Sequence, residues 1–308
     1  ITLCAACCVV VALGFVWSGT AAMLPFISKD LDGSIGESQW VMNAYGIAVS
    51  STLIIWGRFA DRYGRKKIFT LGIFLQFISL LVMSLSHSMG LIVAMQFIFG
   101  LSAGIILPVS QAILSNIFPK DKVSQAIGLW AFAAGFSCAV APFLSSVMLH
   151  YLSWRSIFYI PSVLVFVSFV FILIFCPETK LEKTSQKNDW AGLILLVLCI
   201  ACFITGVNQW HDWSKDIIVP LLIASFVLLI LFLVVQKKVE YPILDLTLFT
   251  HKQFTLSCGV VLFLFVCLWT EIFAFPQFLS KTMHYSPLKV GLVMLFVAVP
   301  VFYFNISA

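Results

Sequence analysis

The chain has 308 residues; 61% are apolar, only 10% are charged, and the formal net charge is +5. A soluble domain carries roughly 25% charged residues, so a water-facing globule is excluded. The composition instead fills several stretches of the ~20 apolar residues that cross ~30 Å of hydrocarbon, and the basic residues, spread through loops rather than gathered on one face, argue against a nucleic-acid partner.

In chain order, charges and turn residues mark ten spans, at about 3–26, 39–60, 67–86, 89–114, 124–149, 155–176, 190–208, 217–236, 254–279 and 287–307. Each reads as a helix, because an open strand edge cannot be satisfied in lipid. The first run is too long for a signal-peptide core and reads as a first span whose cytoplasmic leader is missing. If the N-terminus is cytoplasmic, the inner loops hold 13 of the 18 basic residues and the outer loops 5, which is the positive-inside asymmetry.

Polar residues inside the spans are few. Twelve of the thirteen acids lie in loops or at span ends, and Glu271 alone falls well inside one, 17 residues past Phe254. At 1.5 Å per residue that is ~25 Å from the cytoplasmic side. Desolvation there raises a carboxyl pKa, making Glu271 the candidate for binding a proton or a cationic substrate. Asn43, Gln96, Gln111 and Asn116, with Trp17, are candidates for a substrate cavity, Gln96 and Gln111 sharing one face of the fourth span. The alternative for each is ordinary interhelical hydrogen bonding. No metal site is expected: the five histidines lie in loops or at their edges, and the nine cysteines read as small buried hydrophobes.

Between the second and third spans stands Gly57-Arg58-Phe59-Ala60-Asp61-Arg62-Tyr63-Gly64-Arg65-Lys66-Lys67. A short turn between antiparallel helices needs glycine where φ is positive, a role open to Gly57 and Gly64. This stretch resembles the signature loop of the major facilitator superfamily, differing only in Phe59 for Leu. The resemblance implies that Asp61 and the arginines Arg58, Arg62 and Arg65, with Lys66, latch two six-helix bundles together on the cytoplasmic side during alternating access. Leu24-Pro25, Gln39-Trp40-Val41, Ser153-Trp154-Arg155, Pro177-Glu178-Thr179, Asp189-Trp190-Ala191-Gly192, the segment Pro242 to Phe254 and Tyr285-Ser286-Pro287 narrow it to the fourteen-span drug:proton antiporters, the EmrB/QacA-like branch.

That branch implies an all-α polytopic fold, with a six-span bundle over 1–176, a linker with two extra spans over 177–253 and the first two spans of a second bundle over 254–308. The second bundle of the family has six spans, so the sequence is expected to be C-terminally incomplete, a fragment or an interrupted gene. The implied activity is efflux of hydrophobic or amphipathic drug-like compounds across the bacterial inner membrane. The proton gradient would drive it, without a cofactor, and in double-membraned bacteria with a periplasmic adaptor and outer-membrane channel as partners. Export of a metabolite, siderophore or lipid-like molecule, or a non-transporting remnant, are the alternatives. An enzyme is not expected, since no hydrolase or metalloprotease motif occurs. The sequence departs from the branch at Val16 and Gln96, where an Asp and an Arg tied to proton coupling or substrate charge are usual. The fifth span keeps Pro142 but replaces most glycines of the antiporter motif, leaving Gly135, Ala139 and Ala141 for close helix packing.

Overall fold

A computed structural model describes residues 2–178, 189–210, 213–239, 246–283 and the isolated positions 242, 244, 285, 289–290 and 292–293. The regular structure among them is entirely helical: α1 (Thr2–Asp30), α2 (Ile35–Tyr63), α3 (Arg65–Ser84), α4 (Met89–Ile117), α5 (Val123–Tyr151), α6 (Ser156–Phe175), α7 (Trp190–Asn208), α8 (Lys215–Lys238), a short 3₁₀ turn (Leu246–Thr250) and α9 (Lys252–Lys281). Nine of the ten predicted spans are thus helices at the expected places, and most of the tenth lies outside the described residues. Among the described residues, seven helices are long and apolar enough to cross a membrane. α2 spans 29 residues but is more polar, carrying Asn43, Ser50, Ser51 and Thr52.

Local chemistry sets several starts. Ser34 and Glu37 form a reciprocal capping box on α2, Ser88 accepts from the Leu91 N–H of α4 at 3.3 Å, and Asp189 accepts from the Gly192 N–H of α7 at 2.8 Å. Each cap satisfies a backbone N–H that the start of a helix leaves without an intrahelical partner.

The chain divides into two compact units, residues 1–184 with 287–308, and residues 185–286. In the first, the main packing runs α2 on α4, α4 on α3, α3 on α6, α6 on α1 and α1 on α5. Paired positions give the directions. Gly100 meets Tyr45 and Ala48 while Gly104 meets Thr52, so α2 and α4 are parallel. Phe74 and Phe77 meet Phe169 and Phe166 in reverse order, so α3 and α6 are antiparallel. Gly14 meets Ser137 and Gly19 meets Ser145, so α1 and α5 are parallel.

These crossings depend on small residues, as expected where lipid removes the hydrophobic drive between helices. A Cβ on Gly100 would stand 2.5 Å from the Tyr45 carbonyl oxygen and 2.8 Å from the Ala48 Cβ. On α5, Ser137, Ala141 and Ser145 recur every four residues, are all buried, and face α1. This corrects the part assigned to Gly135: it is exposed, and a Cβ there would meet nothing within 4 Å. It sits two positions from the Ser137 stripe, on another side of the helix. Ala139 is half-buried and Pro142 is buried.

In the second unit α7 and α8 form an antiparallel hairpin. Ser225 Oγ donates to the Cys199 carbonyl at 3.1 Å midway along it. At its base the buried Asp189 accepts from Gln236 Nε2 at 2.5 Å, and Gln236 Oε1 accepts from the Leu244 N–H at 3.0 Å. Replacing Asp189 by Ala leaves the Gln236 amide and the Gly192 N–H unpaired, a cost of about 1–3 kcal/mol. Hydrogen exchange at Trp190–Leu193 should accelerate while exchange in α1–α6 stays unchanged. Gly100→Ala should destabilise the first unit by about 1–3 kcal/mol, read as a lower unfolding temperature, because the clash is with backbone and cannot relax by rotamer.

Candidate functional site

The signature turn is a single residue. α2 ends at Tyr63, α3 begins at Arg65, and Gly64 between them has φ +106°, in the region that L side chains rarely adopt. Gly57, expected as a second turn glycine, instead lies within α2, and a Cβ there would meet nothing within 4 Å. One left-handed residue suffices to reverse the chain, so the second glycine has no turn to make.

The charges around Gly64 are ordered. Arg65 Nε donates to Asp61 Oδ1 at 2.9 Å, with Nη2 2.8 Å from the same oxygen. Its Nη1 donates to the Ala112 carbonyl of α4 at 2.8 Å. Asp61 therefore aims Arg65, and Arg65 ties the α2–α3 turn to α4. Arg62 lies over the Tyr63 ring at 5.5 Å, Lys66 is half-buried, and Arg58 has a partner of its own. The Ala112 contact is invisible in sequence because its acceptor is a backbone carbonyl.

A second node closes the opposite end of the bundle. Trp154 Nε1 donates to Asp30 Oδ2 at 2.8 Å and Arg155 Nη1 to the same oxygen at 3.2 Å. Arg155 Nη2 reaches the Ser86 carbonyl at 3.2 Å, and its guanidinium stacks 4.2 Å from the Trp154 ring. One carboxylate thus gathers α1, the α3–α4 turn and the α5–α6 turn. α1 has 29 residues, ~43 Å against ~30 Å of hydrocarbon, so Asp30 projects beyond the membrane core. The Trp154 and Arg155 donors hold its carboxyl below the usual carboxylate range.

Between these ends lies an uncharged layer. Trp17 of α1 meets Tyr45 of α2 at 6.4 Å between ring centroids, and Tyr45 meets the fully buried Phe99 of α4 at 5.5 Å. Gln96 is buried one turn from Phe99, Asn43 is half-buried, and Gln111 and Asn116 are exposed. Gln96 and Gln111 do not share an environment: one is buried and the other exposed, and fifteen positions set them ~22 Å apart along α4. Val16 is fully buried against the core. Gln76, not singled out in sequence, is fully buried on α3: its Nε2 donates to the Val9 carbonyl at 3.1 Å and its Oε1 has no partner. A lone Gln in an apolar span was the available signal. Glu271 lies on α9, but its side chain is outside the described residues. No cluster suited to a metal ion occurs among the described residues.

The sequence pattern of the Major Facilitator Superfamily matches residues 6–307. The chain belongs to the Major Facilitator Superfamily. This superfamily member is 28% identical over 266 residues to "Multidrug resistance protein 3" of Bacillus subtilis, a match covering 85% of this chain and 52% of that protein. It is 24% identical over 270 residues to "Riboflavin transporter RibZ" of Clostridioides difficile, covering 88% and 58%. With "Probable multidrug resistance protein EmrY" of Escherichia coli the identity is 28% over 272 residues, covering 87% and 53%. The chain spans about half the length of these curated relatives. Among solved structures, a peptide transporter POT in complex with sulfate aligns with a TM-score of 0.67 at 15% identity, covering 98% of this chain and 68% of that one, a likeness of fold alone. The drug-efflux resemblance read from the motifs agrees with these relatives, and the chain is a multi-pass membrane protein with a partial major facilitator fold.

Two outcomes follow for the nodes. Gly64→Ala should cost about 1–3 kcal/mol of backbone strain while Gly57→Ala leaves the unfolding temperature unchanged. Because the Asp30 carboxyl is depressed in the folded state, its contribution is present above the unfolded carboxylate pKa and is lost as pH falls through the folded value. An acid titration of unfolding temperature should therefore drop less steeply for Asp30→Asn than for the wild type.

Proposed function

We propose that the chain is part of a proton-coupled efflux transporter for hydrophobic or amphipathic drug-like compounds, working by alternating access. The observation that carries this reading is the separation of charge from the aromatic layer. Every Asp, Glu, Lys, Arg and His among residues 2–178 sits near a helix end, and Trp17, Tyr45 and Phe99 occupy the depth between. The half-buried Trp17 and Tyr45 offer a ligand apolar contact and ring stacking rather than ion pairing, with the fully buried Phe99 packed behind Tyr45. With Val16 and Gln96 at two positions where the branch usually has an Asp and an Arg, that layer offers no acid for coupling. Glu271 then becomes the proton-carrying residue.

The charge asymmetry of the first unit supports an N-terminus in the cytoplasm, with the Gly64 turn inside and the Asp30 node outside. A planar metabolite is the second reading, favoured by the similarity to a protein named as a riboflavin transporter and by the stacking layer. The test is efflux from proteoliposomes containing the protein at its native length. Glu271→Gln should abolish dependence on the pH gradient while leaving downhill movement of substrate intact, and unchanged coupling would sink the assignment. Trp17→Ala should weaken transport of planar aromatic compounds about two- to tenfold, one stacked ring contact being worth roughly 0.5–1.5 kcal/mol, with little change for aliphatic ones.

A further inference from the structure

The two ends of the first unit differ in how far their charges cancel. At the Gly64 end stand Arg58, Arg62, Arg65, Lys66, Lys67, Lys120 and Lys122 against Asp61, Asp121 and Glu178. At the other end Lys29 and Arg155 face Asp30, Asp32 and Glu37. Asp61 is engaged by Arg65. Lys66 and Lys67 follow in the first turn of α3, which carries no acidic residue. Cations there add to the positive end of the helix dipole rather than offset it, so this corner holds a positive surplus.

The surplus continues into an apolar track. Lys67, Leu71 and Phe74 lie at helical spacing on one face of α3, and all three are exposed. Phe74 and Phe77 pair across to Phe169 and Phe166 of α6 at 6.0 and 5.2 Å. Beyond them α6 exposes Phe171, Ile174 and Phe175. α3 has 20 residues, which at 1.5 Å each match the ~30 Å of hydrocarbon. Lys66 and Lys67 therefore stand at headgroup depth, beside a Tyr63 that is 50% exposed and set at the interface that Tyr favours.

We propose that Lys66 and Lys67, with Arg62 beside them, bind the phosphate headgroup of an anionic phospholipid whose acyl chains lie along the α3–α6 aromatic track. Charge complementarity selects an anionic headgroup, since a zwitterionic one brings its own ammonium toward the lysines. Continuity of the cationic corner with the Leu71–Phe74 face selects a lipid over a soluble anion, which would leave that face bare. Placing the lipid in the cytoplasmic leaflet rests on the orientation proposed above; the headgroup preference does not.

The experiment uses the native-length protein in nanodiscs of phosphatidylcholine mixed with phosphatidylglycerol, with retained lipid read by native mass spectrometry and unfolding temperature read in parallel. The wild type should retain phosphatidylglycerol in preference to phosphatidylcholine. The K66Q/K67Q variant should lose that preference by about tenfold or more, K66R/K67R should keep it, and K120Q/K122Q should keep it too. Equal retention of the two lipids by the wild type would overturn the proposal. So would a preference that K120Q/K122Q removes as fully as K66Q/K67Q does, or a stabilisation by inorganic phosphate in pure phosphatidylcholine equal to that by phosphatidylglycerol. Retention is measured without transport, so loss of efflux and loss of lipid preference are separate results.

Discussion

Hydrocarbon does not solvate charge, and that constraint organises the first unit. An ionised group left in the bilayer core costs several kcal/mol, so the described charges collect at the helix ends. There they are used to tie helices together. Asp61 and Arg65 fasten the Gly64 turn to α4, and Asp30 gathers Trp154 and Arg155 with the Ser86 carbonyl. Between these two nodes the helices hold by shape: Gly100 and Gly104 against α2, and the Ser137–Ala141–Ser145 stripe against α1. Polar fastening at both ends and close packing between them suit a bundle that moves as one piece.

The same constraint shapes the second unit differently. The α7–α8 hairpin has one buried polar contact midway, between Ser225 and Cys199, and one at its base, where Asp189, Gln236 and the Leu244 N–H meet. Asp189 is buried, yet each carboxylate oxygen has a donor, one from Gly192 and one from Gln236. A Cβ on Gly192 would collide with both Asp189 and Gln236, which accounts for the small residue in the Asp189-Trp190-Ala191-Gly192 stretch.

Much of the fold was legible in the sequence because the hydrocarbon demand is written in apolar runs and their charged borders. Among the described residues, the nine α-helices lie where those borders placed them. The signature turn was legible as a motif, and Gly64 performs the part that its position suggested, whereas Gly57 does not. Spacing alone cannot say which of two glycines turns the chain when the helix simply continues through the first. Three features were hidden for a common reason, namely that their partners lie far away along the chain. Arg65 reaches a carbonyl 47 residues on, Asp30 meets Trp154 across 124 residues, and Gln76 meets the Val9 carbonyl across 67. The packing face of α5 was misread at Gly135 because small residues occur on several sides of that helix, and the partner α1 chooses among them.

In the proposed mechanism an uncharged stacking layer binds the substrate while a proton carried elsewhere drives its movement. Its most direct test is counter-transport in proteoliposomes of the native-length protein, with a planar fluorescent dye on one side and an imposed pH gradient. The dye should accumulate on the acidic side against its own gradient, with protons moving the opposite way and accumulation collapsing when the pH gradient is dissipated. Dye movement that is only downhill and indifferent to the pH gradient would contradict it.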